Sequence, residues 1–208
     1  YKIATATASN IVSFTATGTS TRNDGTANLT AKASTNATIN VSASAAGLYT
    51  ITGNTGDDSL TGGSGNDIIN GANGADIISG GAGDDDISGG QGDDSFTGGN
   101  GNDTFNVNDG TDAISDLSSG DILKITAGAT ANATGIAGFT ATSATINNST
   151  VAKGKLTANN SGVTIDLGLV ASGNGFSVTG GTGADTLKGS SGNDIILGGN
   201  ESDTLQGN

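Results

Sequence analysis

The chain has 208 residues and a formal net charge of −13, with 20 Asp and Glu against 7 Lys and Arg and with no Cys, His, Met, Trp or Pro. Nucleic acid is excluded as a partner because phosphate needs a basic face, zinc because neither His nor Cys is present, and a disulfide scaffold because there is no cysteine. No run approaches the ~20 apolar residues of a transmembrane helix, and 37 glycines with 3% aromatics leave only a thin core between short strands.

Residues 1–52 form a strand-rich segment. Alternation such as Thr38-Ile39-Asn40-Val41-Ser42 and Thr50-Ile51-Thr52, rich in β-branched residues, reads as strands with one polar face. No segment carries apolar residues at helical spacing. Residues 53–106 are six nonapeptides in register: GNTGDDSLT, GGSGNDIIN, GANGADIIS, GGAGDDDIS, GGQGDDSFT and GGNGNDTFN. Residues 107–127 carry apolar side chains at Ile114, Leu117, Ile122, Leu123 and Ile125 and are expected to cap the stack. A second strand-rich segment covers 128–179. A second, truncated block covers 180–208, with GGTGADTLK, GSSGNDIIL and GGNESDTLQ. Glycine fills the first position of all nine units, Asp the sixth, and Leu, Ile or Phe the eighth.

A longer period encloses the short one. The stretch LYTITGNTGDDSLTGGSGNDII at 48–69 is echoed by FSVTGGTGADTLKGSSGNDII at 176–196, offset by about 127 residues, and Leu29 in NLTA has its echo in Leu156 of KLTA. The chain thus reads as one and a half copies of a tandem unit. It begins at Tyr1 rather than Met and carries no signal-peptide pattern, so it is expected to be a piece of a longer protein.

Six residues of the pattern GGxGxD make a tight turn, because glycine accepts positive φ freely. The other three suffice for a very short strand with its middle side chain inward: Leu60, Ile69, Ile78, Ile87, Phe96 and Phe105. Two units then close one coil, and every second unit stacks directly. One ladder of aspartates is Asp58, Asp76 and Asp94; the other is Asp67, Asp85 and Asp103. Paired strands lie ~4.7–4.9 Å apart, and Ca2+ takes six to eight oxygens at about 2.3–2.6 Å. An ion between two coils therefore reaches oxygens of both. From Gly53 to Asn106 there are ten Asp and no Lys or Arg. Like charges about 5 Å apart repel by roughly 1 kcal/mol in water and by more in a partly buried turn, so folding and cation binding are expected to be one equilibrium.

The nonapeptides resemble the RTX (repeats-in-toxin) repeat G-G-x-G-x-D-x-U-x, where U is a large apolar residue. The resemblance implies an all-β, right-handed parallel β-roll with several Ca2+ ions between turns, folding outside the cell after type I secretion. It carries the ligand role to Asp58, Asp67, Asp76, Asp85, Asp94, Asp103, Asp185, Asp194 and Asp203. Asp112, Asp116 and Asp121 stand open between ligating a terminal ion and punctuating turns. Departures from the pattern are Asn54, Ala72 and Ser190 at the second position and Glu201 at the fourth, where a non-glycine resists the turn and puts that unit in doubt.

Other chemistries fit less well. A phosphate-cradling loop needs a following helix and a Gly-Lys-Ser/Thr, and an EF-hand around Asp84-Asp85-Asp86 lacks its glycine and its terminal glutamate. The paired carboxylates Asp57-Asp58, Asp84-Asp85 and Asp93-Asp94 recur at repeat spacing, which suits ligation or solvation better than catalysis. Asp57, Asp84, Asp86 and Asp93 are expected outward and solvated, and no enzyme activity is expected. The sequence points first to a segment of a secreted bacterial surface protein: S-layer, sheath or filament. It would self-associate into a lattice or filament and attach to the cell surface through regions outside this chain. An extender region of an RTX adhesin ranks second, and the secretion and folding domain of an RTX protease, lipase or toxin third.

Overall fold

A computed structural model of the chain describes residues 6–16, 26–44, 47–150, 153–159 and 161–208. Parts of the strand-rich segments 1–52 and 128–179 therefore lie outside the described residues. The chain divides into two compact units, Tyr1–Thr104 and Phe105–Asn208.

The first unit holds β1 (Ala6–Ile11), β2 (Ser13–Thr15), β3 (Thr26–Ala31), β4 (Thr38–Asn40), β5 (Leu48–Thr55), β6 (Ser59–Thr61), β7 (Ile68–Asn73), β8 (Ile77–Ala82), β9 (Asp86–Gln91) and β10 (Ser95–Asn100). Odd strands line up as β1-β3-β5-β7-β9 in one sheet and even strands as β2-β4-β6-β8-β10 in another. Neighbours are parallel. Consecutive strands thus alternate between two sheets, which is the path of a β-solenoid.

The second unit begins within β11 (Thr104–Val107). It continues with β12 (Thr111–Ile114), β13 (Ile122–Ile125), β14 (Thr130–Ile136), β15 (Phe139–Thr140), β16 (Ile146–Asn147), β17 (Gly154–Ala158) and β18 (Thr164–Asp166), and ends with β19 (Ser177–Gly181), β20 (Thr186–Lys188), β21 (Ile195–Gly199) and β22 (Thr204–Gln206). Here β12-β14-β17-β19-β21 and β15-β18-β20-β22 run as parallel ladders. No α-helix occurs among the described residues, in keeping with the missing helical periodicity.

The eighth-position side chains of the nonapeptides stack in register, Ile69 on Ile87 and Leu60 on Ile78 on Phe96, and Ile51 of the preceding segment stacks on Ile69. All are buried. The strands are longer than the three residues expected. In β7 through β10 they run six residues, through the paired glycines of the next unit, because first-position Gly71, Gly80, Gly89 and Gly98 are themselves inward-facing rungs. The second-position residue inside each of these strands has positive φ, for example 114° at Gly81 and 104° at Gly90, and pairing continues for one residue beyond it.

The tandem period is visible in strand pairing. Leu29 pairs with Ile51 and Leu156 with Val178, and Ile39 pairs with Leu60 and Ile165 with Leu187. Both units therefore feed an Ala/Thr-rich solenoid directly into a Gly-Asp block on the same two columns of apolar side chains. In this way the fold presents every nonapeptide turn on a rigid, stacked support.

Candidate metal centre

The sixth-position aspartates sit where each turn re-enters a strand, and both ends of the residue are held by the neighbouring coil. The carbonyl oxygens of Asp58 and Asp76 accept the amides of Ile77 and Ser95, both at 2.8 Å. The carboxylates are held as well. Asp58 N donates to Asp76 Oδ1 at 2.7 Å and Asp76 N to Asp94 Oδ1 at 2.8 Å, each a step of 18 residues. On the other side Asp67 N donates to Asp85 Oδ1 at 2.6 Å and Asp85 N to Asp103 Oδ1 at 2.9 Å. In the second block Asp185 N donates to Asp203 Oδ1 at 3.0 Å. The two columns expected from nine-residue spacing are thus brought together as hydrogen-bonded ladders.

One oxygen of each carboxylate is spent on this ladder; the other defines the site. Oδ2 of Asp58, Asp76, Asp85 and Asp185 is fully buried and has no hydrogen-bond partner. An ionised oxygen buried in that state costs several kcal/mol unless a cation or a proton meets it. The same atoms crowd the first-position glycines. A Cβ at Gly53 would strike Asp58 Oδ2 and the carbonyl oxygen of Gly71; at Gly71, Asp76 Oδ2 and the Gly89 carbonyl; at Gly80, Asp85 Oδ2 and the Gly98 carbonyl; at Gly180, Asp185 Oδ2 and the Gly198 carbonyl. Glycine is required there because a carboxylate oxygen and a main-chain oxygen of the next coil converge on the space a side chain would fill.

Among the described residues no three carboxylates converge on one point. A cation in these turns would therefore take its further ligands from main-chain carbonyls. A donor set of carboxylate and carbonyl oxygens, with neither nitrogen nor sulfur, suits a hard cation with a high coordination number. The residues present fit Ca2+.

Electrostatics describes the same strain. Burial pushes the Asp76 carboxyl up to about 6; the Asp58 amide opposes this, and the charges of Asp94, Asp58 and Asp57 add to it. Burial likewise pushes Asp85 up to about 7, opposed by the Asp67 amide and reinforced by Asp67, Asp103 and Asp84. Asp58, Asp67 and Asp94 are raised too, again first by burial.

Asp94 and Asp103 are as buried as the aspartates before them, whereas Asp194 and Asp203 are half-buried. Asp112 and Asp121 are fully buried, at 0% and 2% exposure. They follow Asp94 and Asp103 by the same 18 residues in sequence, and Ile114 and Leu123 follow them at the eighth position, both buried. Residues 107–115 and 116–124 are thus two further nonapeptides that have lost most of their glycines. A search for GGxGxD passes over them; the Asp-x-Leu/Ile spacing finds them. Asp121 Oδ2 accepts the Ser118 amide at 2.7 Å, closing its turn locally.

Sequence reasoning also missed a second, outer ladder. The fifth-position side chains are exposed, but they are not merely solvated. Ala75 N donates to Asp57 Oδ1 at 2.9 Å, Asp84 N to Asn66 Oδ1 at 2.9 Å and Asn102 N to Asp84 Oδ1 at 2.8 Å. Asp or Asn at this position is the signal, since both offer a short side-chain acceptor. Glu201 adopts a φ of 71° and its coil still forms, with Leu205 paired to Leu187.

The family model for the RTX calcium-binding nonapeptide repeat matches the chain in four copies, over residues 50–78, 79–114 and 177–208. No curated protein and no solved structure gives a significant match. The matched ranges contain all nine Gly-Asp turns and the degenerate one at Asp112, but not the one at Asp121. By these turns and this match, the chain is an all-β solenoid that carries RTX calcium-binding nonapeptide repeats.

Proposed function

We propose that the chain is a calcium-dependent structural segment of a secreted bacterial surface protein, one whose tandem β units become rigid only in calcium-rich surroundings. The observation that carries the reading is the buried, unpartnered Oδ2 repeated in register at Asp58, Asp76, Asp85 and Asp185. Asp58, Asp76, Asp85, Asp94, Asp103, Asp185 and Asp203 hold the ions, with first-position glycine carbonyls beside them. Bound Ca2+ supplies the positive charge that the sequence omits. The chain's own part is to fix the oxygens. Amides from one coil pin Oδ1, so Oδ2 is presented without further ordering of the side chain, and the stacked apolar column sets the spacing.

Duplication of the whole unit supports a structural role. The same strand pairing recurs about 127 residues on, with a strand-rich support ahead of each Gly-Asp block. An appendage that only assists export gains nothing from repeating that support. Self-association into a lattice or filament and placement at the cell surface belong to this reading. An extender segment of an adhesin shares its physics and differs in lacking lateral order.

Circular dichroism in 5–10 mM Ca2+ and in excess chelator tests the first step, with half-saturation expected at about 10⁻⁴ to 10⁻³ M, the range of extracellular modules. An unchanged spectrum would sink the reading. Asp76→Ala removes a rung from the middle of one ladder and is expected to lower calcium uptake by one to two ions. Asp57→Ala removes an exposed acceptor from Ala75 N, which water replaces, and is expected to leave uptake unchanged. Equal losses in the two variants would mean that the ladder is assigned to the wrong position. Electron microscopy of the calcium-loaded protein then separates an ordered lattice or filament from isolated particles.

A further inference from the structure

Two sixth-position aspartates differ from Asp58, Asp76, Asp85 and Asp185. At Asp67 both oxygens are already occupied: Oδ1 accepts Tyr49 N at 2.7 Å and Oδ2 accepts Gly63 N at 2.6 Å. At Asp194, Oδ1 accepts Phe176 N at 2.7 Å, Oδ2 accepts Ser190 N at 2.8 Å, and the Ser190 hydroxyl donates as well. In both turns the second-position amide has swung onto the carboxylate.

The backbone changes with it. Positive φ marks the second and fourth positions of the other turns, for instance Asn54 and Gly56, Gly81 and Gly83, Gly181 and Gly183. Gly63, Gly65, Ser190 and Gly192 do not adopt it. The strands leading into these turns, β6 and β20, stop after three residues, whereas β7 to β10 run six. This also explains how Ser190 is accepted at a glycine position. Its φ lies outside the left-handed region, and its hydroxyl bonds Asp194.

Both aspartates lie directly above an aromatic residue of the preceding coil, buried Tyr49 and buried Phe176, which occupy the place an aspartate holds elsewhere. Being first in a ladder does not by itself produce the pattern. Asp58 and Asp185 also follow apolar residues, Ala37 and Val163, whose amides they accept, yet both keep an unpartnered Oδ2. The Gly80 carbonyl still crowds Gly62 as at the other turns. What the two turns share is the second-position amide on the carboxylate, a φ outside the left-handed region at the second and fourth positions, and the aromatic beneath.

We infer that Asp67 and Asp194 close their turns by hydrogen bonds and hold no cation, giving each Gly-Asp block one calcium-independent turn, seated on an aromatic residue, from which the calcium-dependent turns grow. With amides on both oxygens, neither carboxylate presents a bare buried oxygen for a cation to meet, and at Asp67 those amides oppose the upward push of burial without overcoming it. The inference rests on the calcium reading above for the remaining turns. It predicts that the ladder of Asp58 begins to take up ions one coil earlier than the ladder of Asp67.

The test uses the full chain. Calcium stoichiometry by titration calorimetry is compared for the unmutated protein, Asp67→Asn and Asp85→Asn. The expected result is an unchanged ion count in Asp67→Asn and a loss of at least one ion in Asp85→Asn. Hydrogen exchange on the unmutated protein in excess chelator gives a second readout that does not depend on how the variants fold. The amides of Gly63 and Ser190 are expected to stay protected by tenfold or more over an unstructured peptide. Loss of as many ions in Asp67→Asn as in Asp85→Asn, or unprotected Gly63 and Ser190 amides in chelator, would overturn the inference and leave the calcium reading standing. No calcium uptake by the unmutated chain would instead remove the calcium reading itself.

Discussion

Glu201 shows how a single residue can be strained without breaking its coil. At φ 71° its Cβ sits in the left-handed region that glycine occupies at the fourth position of most of the other turns, for example 111° at Gly83 and 102° at Gly183. For an L-residue this costs roughly 1–2 kcal/mol. The strand that follows nevertheless pairs Thr204, Leu205 and Gln206 with Thr186, Leu187 and Lys188. The doubt that the sequence raised about this unit is therefore an energetic one. Glu201→Gly is expected to raise the stability of the calcium-loaded protein by up to about 1 kcal/mol, since the added freedom of glycine in the unfolded chain offsets part of the relief. Urea denaturation read by circular dichroism checks this. A lower midpoint would show that the Glu side chain contributes more than its backbone strain removes.

At the scale of the element, the eighth-position residue carries the Gly-Asp block, because each strand from β6 to β10 buries only one large side chain. Phe96 is 1% exposed in β10 and stacks on Ile78, whereas Ile77 in the neighbouring register is 63% exposed. Phe96→Ala leaves a cavity that a core one residue thick cannot refill and is expected to cost about 3–5 kcal/mol. Ile77→Thr faces solvent and is expected to stay within about 0.5 kcal/mol of the parent. Denaturant midpoints in saturating calcium distinguish the two; equal effects would mean that the inward and outward faces are exchanged. This alternation is why the apolar column was legible in the sequence, where Leu60, Ile69, Ile78, Ile87 and Phe96 recur every nine residues. Strand length was not legible. The inward rung after each apolar residue is a glycine, so period-two patterning has no side chain to show it. The same limit hid the units at 107–124, where burial of Asp112 and Asp121 is kept but the glycine signal is gone. Nor could a glycine count tell Gly63 from Gly81, because what separates them is backbone conformation beside a residue one coil away: Gly63 lies against the Tyr49 ring and lacks the positive φ of Gly81.

For the molecule as a whole, a net charge of −13 makes protons and calcium competitors for the same oxygens. Asp76 and Asp85, raised by burial from 3.8 to about 6 and about 7, bind protons more tightly in the coiled chain than in the unfolded one. A raised carboxyl pKa contributes stability that is complete below the unfolded value, near 4, and is lost as pH climbs through the folded value. In chelator, then, the coiled state is expected to be favoured at pH 4 and to lose this support between about pH 4 and 7, at which point the aspartates ionise against one another. Calcium reverses the sign, because ligation needs the ionised carboxylate and strengthens as pH rises through the same window. Two circular dichroism titrations separate the effects. Without calcium the β signal should grow as pH falls from 7.5 to 4.5; with millimolar calcium it should hold across the range while the affinity weakens toward the acid end. A calcium-free chain that loses β structure on acidification would mean that the buried aspartates are stabilised as anions by the protein itself, and that the ladders do not depend on a cation for their charge balance.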